Sequence, residues 1–374
     1  MKKLVLLWFA LFLNKVYSQS TNDILNLLIA NKTVTQEQDD SLRADAAIKQ
    51  QDAESNKKSF PATAARSIQF AGYTQFRYQA FDENTKRDGF DIRRARLDVK
   101  GNFTPYFSYR LQADFAGSPK LMDAYAEIKL NDYLNFTVGQ FKIPFSMENL
   151  AALTKFELID FSQAVDALVA RGNDVIKNQN GRDIGIQLGG TLVRSGNNPV
   201  VEYRLGVFNG SGINIADTAN DAKDIAARLI VSPLKAISLG ASYYNGWGKA
   251  VKPDAEFAGR SQARNRFGLE ASYTTSRLSL KSEYIQGIDG KTKKAGWYVW
   301  AGYYLIPQKL QVVLKYDTFD KNTEKSDNIS INYVAGLNYN FNNWSRIQAF
   351  YILREEEGPS VNNNQISVQY QIGF

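Results

Sequence analysis

From residue 68 onward, apolar and polar residues alternate with period two. That is the signature of strands carrying one apolar and one polar face. The final segment shows it plainly: Ile366, Val368, Tyr370, Ile372 and Phe374 point one way, and Gln365, Ser367, Gln369, Gln371 and Gly373 the other. The pattern predicts about 16 strands, near 68–81, 90–101, 106–115, 121–130, 133–142, 183–192, 199–208, 222–232, 236–247, 263–274, 277–286, 295–305, 309–318, 329–341, 344–354 and 365–374. Roughly 19 residues per strand and turn suits a large closed barrel. Turns alternate between short (Thr104-Pro105, Asn131-Asp132, Pro307-Gln308) and long (Asp82–Gly89, Ser211–Asp221, Lys249–Gln262), which keeps phase with an even strand number. The predicted fold is all-β, a 16-stranded antiparallel transmembrane β-barrel. Apart from the short N-terminal apolar stretch the chain holds no run of 18 or more apolar residues, and lipid admits no other spanning structure than helices and closed barrels.

One interruption stands out. Residues 143–182 hold no alternating strand, and Met147–Ala170 carries helix-like spacings at Leu150, Leu153, Phe156, Val165 and Leu168. A loop of this length is usually functional, and it is expected to fold inward as a partly helical constriction loop. An extracellular lid is the alternative.

The N-terminus reads differently. Residues 1–18 fit a secretory signal peptide, with Lys2 and Lys3 ahead of the apolar run Leu4–Leu13 and small residues before a cut at Gln19. Residues 19–60 form a leader rich in Asp, Gln, Ala and Asn. Two short helices are expected in it, at about 21–31 and 36–57. This periplasmic leader could be a trimerisation stalk, a partner-docking segment (residues 20–58) or a chain without fixed structure. Residues 61–374 form the barrel domain.

Composition narrows the chemistry. There is no Cys and no His, so thiol chemistry, disulfides, imidazole catalysis and His metal sites are excluded. No enzyme activity, cofactor or metal motif is expected. The 20 Tyr, 22 Phe and 5 Trp fit aromatic girdles at two membrane interfaces. The formal charge is +7, and its excess falls on the barrel, because acids outnumber bases in residues 20–60. In an exported barrel this favours an anion-attracting lumen over nucleic-acid binding.

The motifs FDIRRARLDVKGNF (90–103), LMDAYAEIKL (121–130), FTVGQFKIPFSMENL (136–150) and GRDIGIQLGG (181–190) occur in order. Together they resemble the phosphate-selective porin O and P family, most clearly over residues 68–210. The terminal Phe374 is similar to the closing residue of bacterial outer-membrane barrels. The resemblance implies an outer-membrane porin, commonly a homotrimer, surrounded by outer-membrane lipid and passing small anions such as phosphate through an arginine-lined pore. One departure is visible: ELIDFSQ (157–163) lacks the Arg of the acidic–basic pair usual after the PFS segment.

Strand parity assigns faces, since a charge on the lipid face costs about 2–4 kcal/mol at the midplane. Leu97 and Val99 face lipid, so Arg94, Arg96, Asp98 and Lys100 face the lumen, with Arg77 opposite. The expected pore-lining cations are Arg77, Arg94, Arg96, Lys100, Arg110, Lys142, Arg204, Arg228 and Arg266, with Arg264, Arg277, Lys129, Lys281, Lys315 and Arg346 also inward. Guanidinium forks match the oxygens of an anion that sheds water on entry. Arg93 breaks the alternation and is expected at the outer rim. Asp98, Asp114, Asp123, Glu127, Glu270 and Glu283 lie on the same inward faces, so cross-strand ion pairing competes with anion binding. A passive channel with anion preference is the main reading. A docking barrel whose N-terminal helices bind a partner is the alternative.

Overall fold

The computed structural model describes residues 67–83, 85–216, 222–251, 259–359 and 361–374. The expected signal peptide and leader helices lie outside the described residues. The strands are β1 (Ser67–Phe81), β2 (Gly89–Thr104), β3 (Phe107–Asp114), β4 (Lys120–Lys129), β5 (Asn135–Lys142), β6 (Arg182–Ser195), β7 (Asn198–Phe208), β8 (Asp224–Leu234), β9 (Ile237–Asn245), β10 (Trp247–Lys249), β11 (Ser261–Thr274), β12 (Leu278–Asp289), β13 (Thr292–Ile306), β14 (Leu310–Asp320), β15 (Ile329–Asn340), β16 (Ser345–Glu356) and β17 (Gln365–Gly373). β9 and β10 both pair with β11 and are two halves of one stave, broken at Gly246. The barrel therefore has 16 strands. Each pairs antiparallel with its sequence neighbour.

Closure joins β1 to β17 in the register Tyr73↔Gly373 through Phe81↔Gln365. Gly72 and Phe374 exchange both backbone hydrogen bonds, at 3.2 and 3.0 Å. A Cβ on Gly72 would lie 2.4 Å from the Phe374 ring, so the terminal aromatic would have to move aside for any other residue there. The seam leaves no open edge in the hydrocarbon. Outward positions are apolar and exposed (Leu97, Leu111, Leu205, Leu269, Leu314 and Leu337), as lipid contact requires.

Residues 143–181 enter the barrel. Their regular structure is smaller than the spacings predicted: a four-residue helix α1 (Met147–Leu150), a 3-10 turn (Leu153–Lys155) and a six-residue helix α2 (Gln163–Leu168). The apolar spacing reflects packing against the barrel wall. Phe145, Leu158, Ile159, Val165 and Leu168 of the loop share one buried cluster with Ile285, Tyr298, Trp300, Val313 and Phe350, which β12, β13, β14 and β16 turn inward. Each such buried side chain contributes about 1.5–3 kcal/mol.

Candidate functional site

The loop divides the lumen because polar staples fix it to one wall. Glu283 on β12 accepts from Ser146 Oγ at 2.9 Å, Met147 N at 2.5 Å and Tyr298 Oη at 2.7 Å. Asp317 accepts from Gln163 N at 3.0 Å, at the start of α2. An amide row continues the attachment. Arg346 donates to the Leu153 carbonyl, Gln371 to Thr154, Gln348 to Phe156 and Asn338 to Glu157. Deeper in the loop, Asp174 pairs with Arg264 at 2.8 Å. Burial pushes the Asp174 carboxyl up, but Arg264 and Arg266 outweigh it and hold the group down at about 2.

Two chambers result. One, about 890 Å³, lies toward the short turns, the periplasmic end of such barrels, and is lined by Arg96, Lys100, Arg110, Lys142, Arg182 and Arg204, by Asp98, Asp123, Glu127 and Glu202, and by loop residues Leu150, Ala152, Leu153 and Thr154. The extracellular one, about 990 Å³, is lined by Arg93, Leu158, Ile159, Asp160, Phe161 and Arg354. Along β2, Arg93 faces the upper chamber and Arg96 the lower, with Arg94 between them. Along β1, Gln79 and Tyr73 take those places, with Gln75 and Arg77 between.

Arg93 corrects the sequence expectation. Gln75 pairs with Arg94 and Phe76 with Ile92, so Arg93 is the extra residue of a β-bulge. The bulge re-aims its side chain inward, where Nη2 meets Asp160 Oδ1 of the loop at 2.7 Å. Arg77 lies 3.8 Å from the same carboxylate and also binds Asp91. Burial pushes the Asp160 carboxyl up, but Arg93 and Arg77 outweigh it and hold it below the usual carboxylate range.

Most other arginines are also paired. Arg96 meets Asp114 at 2.8 Å. Arg110 forks onto Asp98 and reaches Asp123 at 3.3 Å. Arg228 grips Glu270 with both arms. Arg266 meets Asp289 at 2.6 Å and the Leu168 carbonyl, and it lines neither chamber because the loop covers it. Arg277 sits in the exposed turn before β12, not in the wall. Lys100 and Arg204 line the lower chamber as exposed side chains.

Where the loop meets β1, β2 and β5, three cations have no carboxylate within ion-pair distance among the described residues, as is also true of Lys100, Arg204, Arg346 and Arg354 elsewhere in the lumen. Arg94 Nη1 donates to Gln75 Oε1 at 2.7 Å, and its strongest charged neighbours are Arg93 and Arg96, with Arg171 beyond. Lys142 Nζ donates to the Ala151 carbonyl at 2.8 Å. Arg171, on the loop, donates to Asn149 Oδ1 at 2.6 Å and stacks 3.7 Å over the Phe161 ring. Burial, with Arg182 beside it, pushes the Arg171 guanidinium down to about 9, still charged at neutral pH. Sequence reasoning missed Arg171 and Arg182. Arg171 lies in the segment expected to enter the lumen, which was its only signal. Arg182, bound to Asp123 at 2.6 Å, turns inward where the loop returns to β6.

The loop thus leaves a chamber on each side, both lined by cations and carboxylates together, with Lys142 on the wall of one and Arg94 and Arg171 lining neither. Among curated proteins no sequence match is found. Several solved structures share the fold. An anion-selective porin from Comamonas acidovorans aligns with a TM-score of 0.63 at 15% identity, covering 82% of this chain and 99% of that one. In-vitro folded OmpT of Vibrio cholerae, in its trimer form, aligns with a TM-score of 0.61 at 12% identity over 82% and 99% of the two chains. OprB of Pseudomonas putida gives 0.61 at 11% identity over 83% and 94%. The family model described as phosphate-selective porin O and P matches residues 69–372. An inward loop, a closed 16-stranded barrel and that match over most of the chain agree: the protein is an outer-membrane porin and belongs to the phosphate-selective porin O and P family.

Proposed function

We propose that this porin is a passive, anion-preferring diffusion channel whose preference is set at the constriction by Arg94, Arg171 and Lys142. The observation that carries this reading is their lack of carboxylate partners at the level where the loop meets β1, β2 and β5. An anion passing this level exchanges water for guanidinium and ammonium donors. A cation meets like charge in a confined space with low-dielectric walls, where screening is weaker than in bulk solvent.

The preference is general, with phosphate as one admitted anion. Phosphate specificity would need a run of guanidinium groups open to the solute. Arg77, Arg93, Arg96, Arg110, Arg182 and Arg228 each already hold a carboxylate. The exposed Lys100 and Arg204 then act as weak, sequential sites toward the periplasm.

This reading includes export through residues 1–18 and assembly as a homotrimer in outer-membrane lipid. The Vibrio cholerae OmpT trimer supports the assembly by fold likeness. Residues 19–60 would then lie in the periplasm. Ion selectivity in a planar bilayer tests the reading: a KCl gradient should give a reversal potential displaced toward the chloride equilibrium value. Chemical cross-linking of the detergent-solubilised protein tests the trimer.

A further inference from the structure

The extracellular chamber has two unlike sides. On one, Phe161, Phe319, Val334, Phe350 and Ile352 form an apolar surface. Val334 and Ile352 are directly opposed across the β15–β16 pair. Val334 and Phe161 stay only partly buried at the margin of the apolar cluster. Phe319 and Phe350 are taken up in packing the loop, so the apolar surface left to a solute is that of Val334 and Phe161, where carbon cannot replace the lost hydration of an ion.

The other feature is Arg354. It lies two residues beyond Ile352 on the same face of β16, about 7 Å along the strand. It donates to the Asn363 carbonyl and to Gln365 Oε1. No carboxylate lies within ion-pair distance of it among the described residues; Asp160 and Glu356, which line the same chamber, act on it only from farther off. The chamber therefore offers a guanidinium at one end and an aliphatic and aromatic floor at the other, spaced by two strand residues.

We infer that the extracellular chamber binds small aromatic monocarboxylates, with the carboxylate on Arg354 and the ring over Val334, Ile352 and the edge of Phe161. This rests on the channel reading, because the ligand reaches the site through the lumen. Two features of the ligand are used at once. The carboxylate accepts from the guanidinium N–H groups that Asn363 and Gln365 do not use, and the ring removes apolar surface from water.

The test uses the full-length protein in a planar bilayer, with benzoate or acetate added in turn to each side while chloride current is recorded. Both probes carry one carboxylate, so only the ring differs. Benzoate is expected to reduce the current at about tenfold lower concentration than acetate, the value for partial burial of one ring face. The effect should be stronger from the extracellular side. V334N should bring the two probes together, and R354Q should weaken benzoate block. Equal potency of benzoate and acetate in the unmodified protein overturns the proposal, whatever the variants do. A benzoate advantage unchanged in both V334N and R354Q also overturns it, since the ring is then held elsewhere. The reversal potential under a KCl gradient, recorded in the same bilayers, reads the constriction separately. Anion preference with equal probe potency sinks this inference alone, while absent anion preference sinks the channel reading beneath it.

Discussion

Arg93 meets Asp160 at 2.7 Å across the lumen from a position that a regular strand would have turned toward lipid. The bulge costs one ladder position and gains an ion pair between wall and loop. Asp160 keeps about a third of its side-chain surface exposed (35%), so the pair borders the extracellular chamber. It also neutralises Arg93 and draws on Arg77 just above the level of Arg94.

Asp160→Asn should therefore release positive charge into the passage. The expected result is a rise of roughly two- to fivefold in the chloride-to-potassium permeability ratio, the scale of one screened charge in a partly solvated lumen. Bi-ionic reversal potentials measure it. An unchanged ratio would mean that Asp160 and Arg93 lie off the conducting path.

Glu283 is the main staple at the start of the loop. Glu283→Ala leaves Ser146 Oγ, the Met147 and Glu148 amides and Tyr298 Oη without their acceptor. Leaving a buried donor without its acceptor costs about 1–3 kcal/mol. The loop should loosen, raising single-channel conductance and its noise, and lowering the temperature at which the barrel unfolds on a detergent gel. Glu283→Gln, which keeps one acceptor oxygen, should fall between the two.

Asp174 anchors the far part of the loop to Arg264. Its carboxyl sits at about 2 in the folded protein, below the unfolded value of ~3.9. A depressed folded value means the stabilisation is complete above the unfolded value and is lost as pH falls through the folded one. The stability difference between the unmodified protein and Asp174→Asn should thus be constant above pH ~4 and shrink toward zero as pH approaches 2. Urea unfolding of vesicle-embedded protein at a series of pH values reads this difference. A gap that closes already near neutrality would rule out the pairing.

Leu97→Arg tests the face assignment next to the arginine cluster. Leu97 is 40% exposed on the outer surface while its neighbour Arg96 is 6% exposed on the inner one. The substitution should cost about 2–4 kcal/mol in equilibrium unfolding from bilayers. A neutral effect would mean that β2 is turned the other way.

Much of this fold was legible in the sequence because a barrel strand must alternate over its whole length. Lipid on one side and water on the other leave no freedom at Leu97, Leu111 or Leu205. The spans of β1 through β9 and of β11 through β17 follow from that constraint to within a few residues. Single-residue insertions are where parity fails. Nothing in RRA marks Arg93 as a bulge, because Arg is acceptable at an outer rim and in a lumen alike. The break at Gly246 was hidden for a related reason, since Trp247 resumes the alternation. The loop's length marked it as functional, but an extracellular lid stayed open beside an inward fold, and its partners were not legible. Glu283, Asp317 and Asn338 contact it across more than a hundred residues of chain, and no local pattern encodes such distances. Arg171 escaped for that reason too: its place beside Arg94 depends on the whole path of the loop.

The most direct measurement is the reversal potential under a KCl gradient for the unmodified protein beside R94Q, R171Q and K142Q, alone and combined. Anion preference is expected in the unmodified channel, reduced by each single substitution and close to abolished by the triple one. Cation preference in the unmodified channel, or a triple variant as anion-preferring as its parent, would contradict a constriction governed by those three side chains.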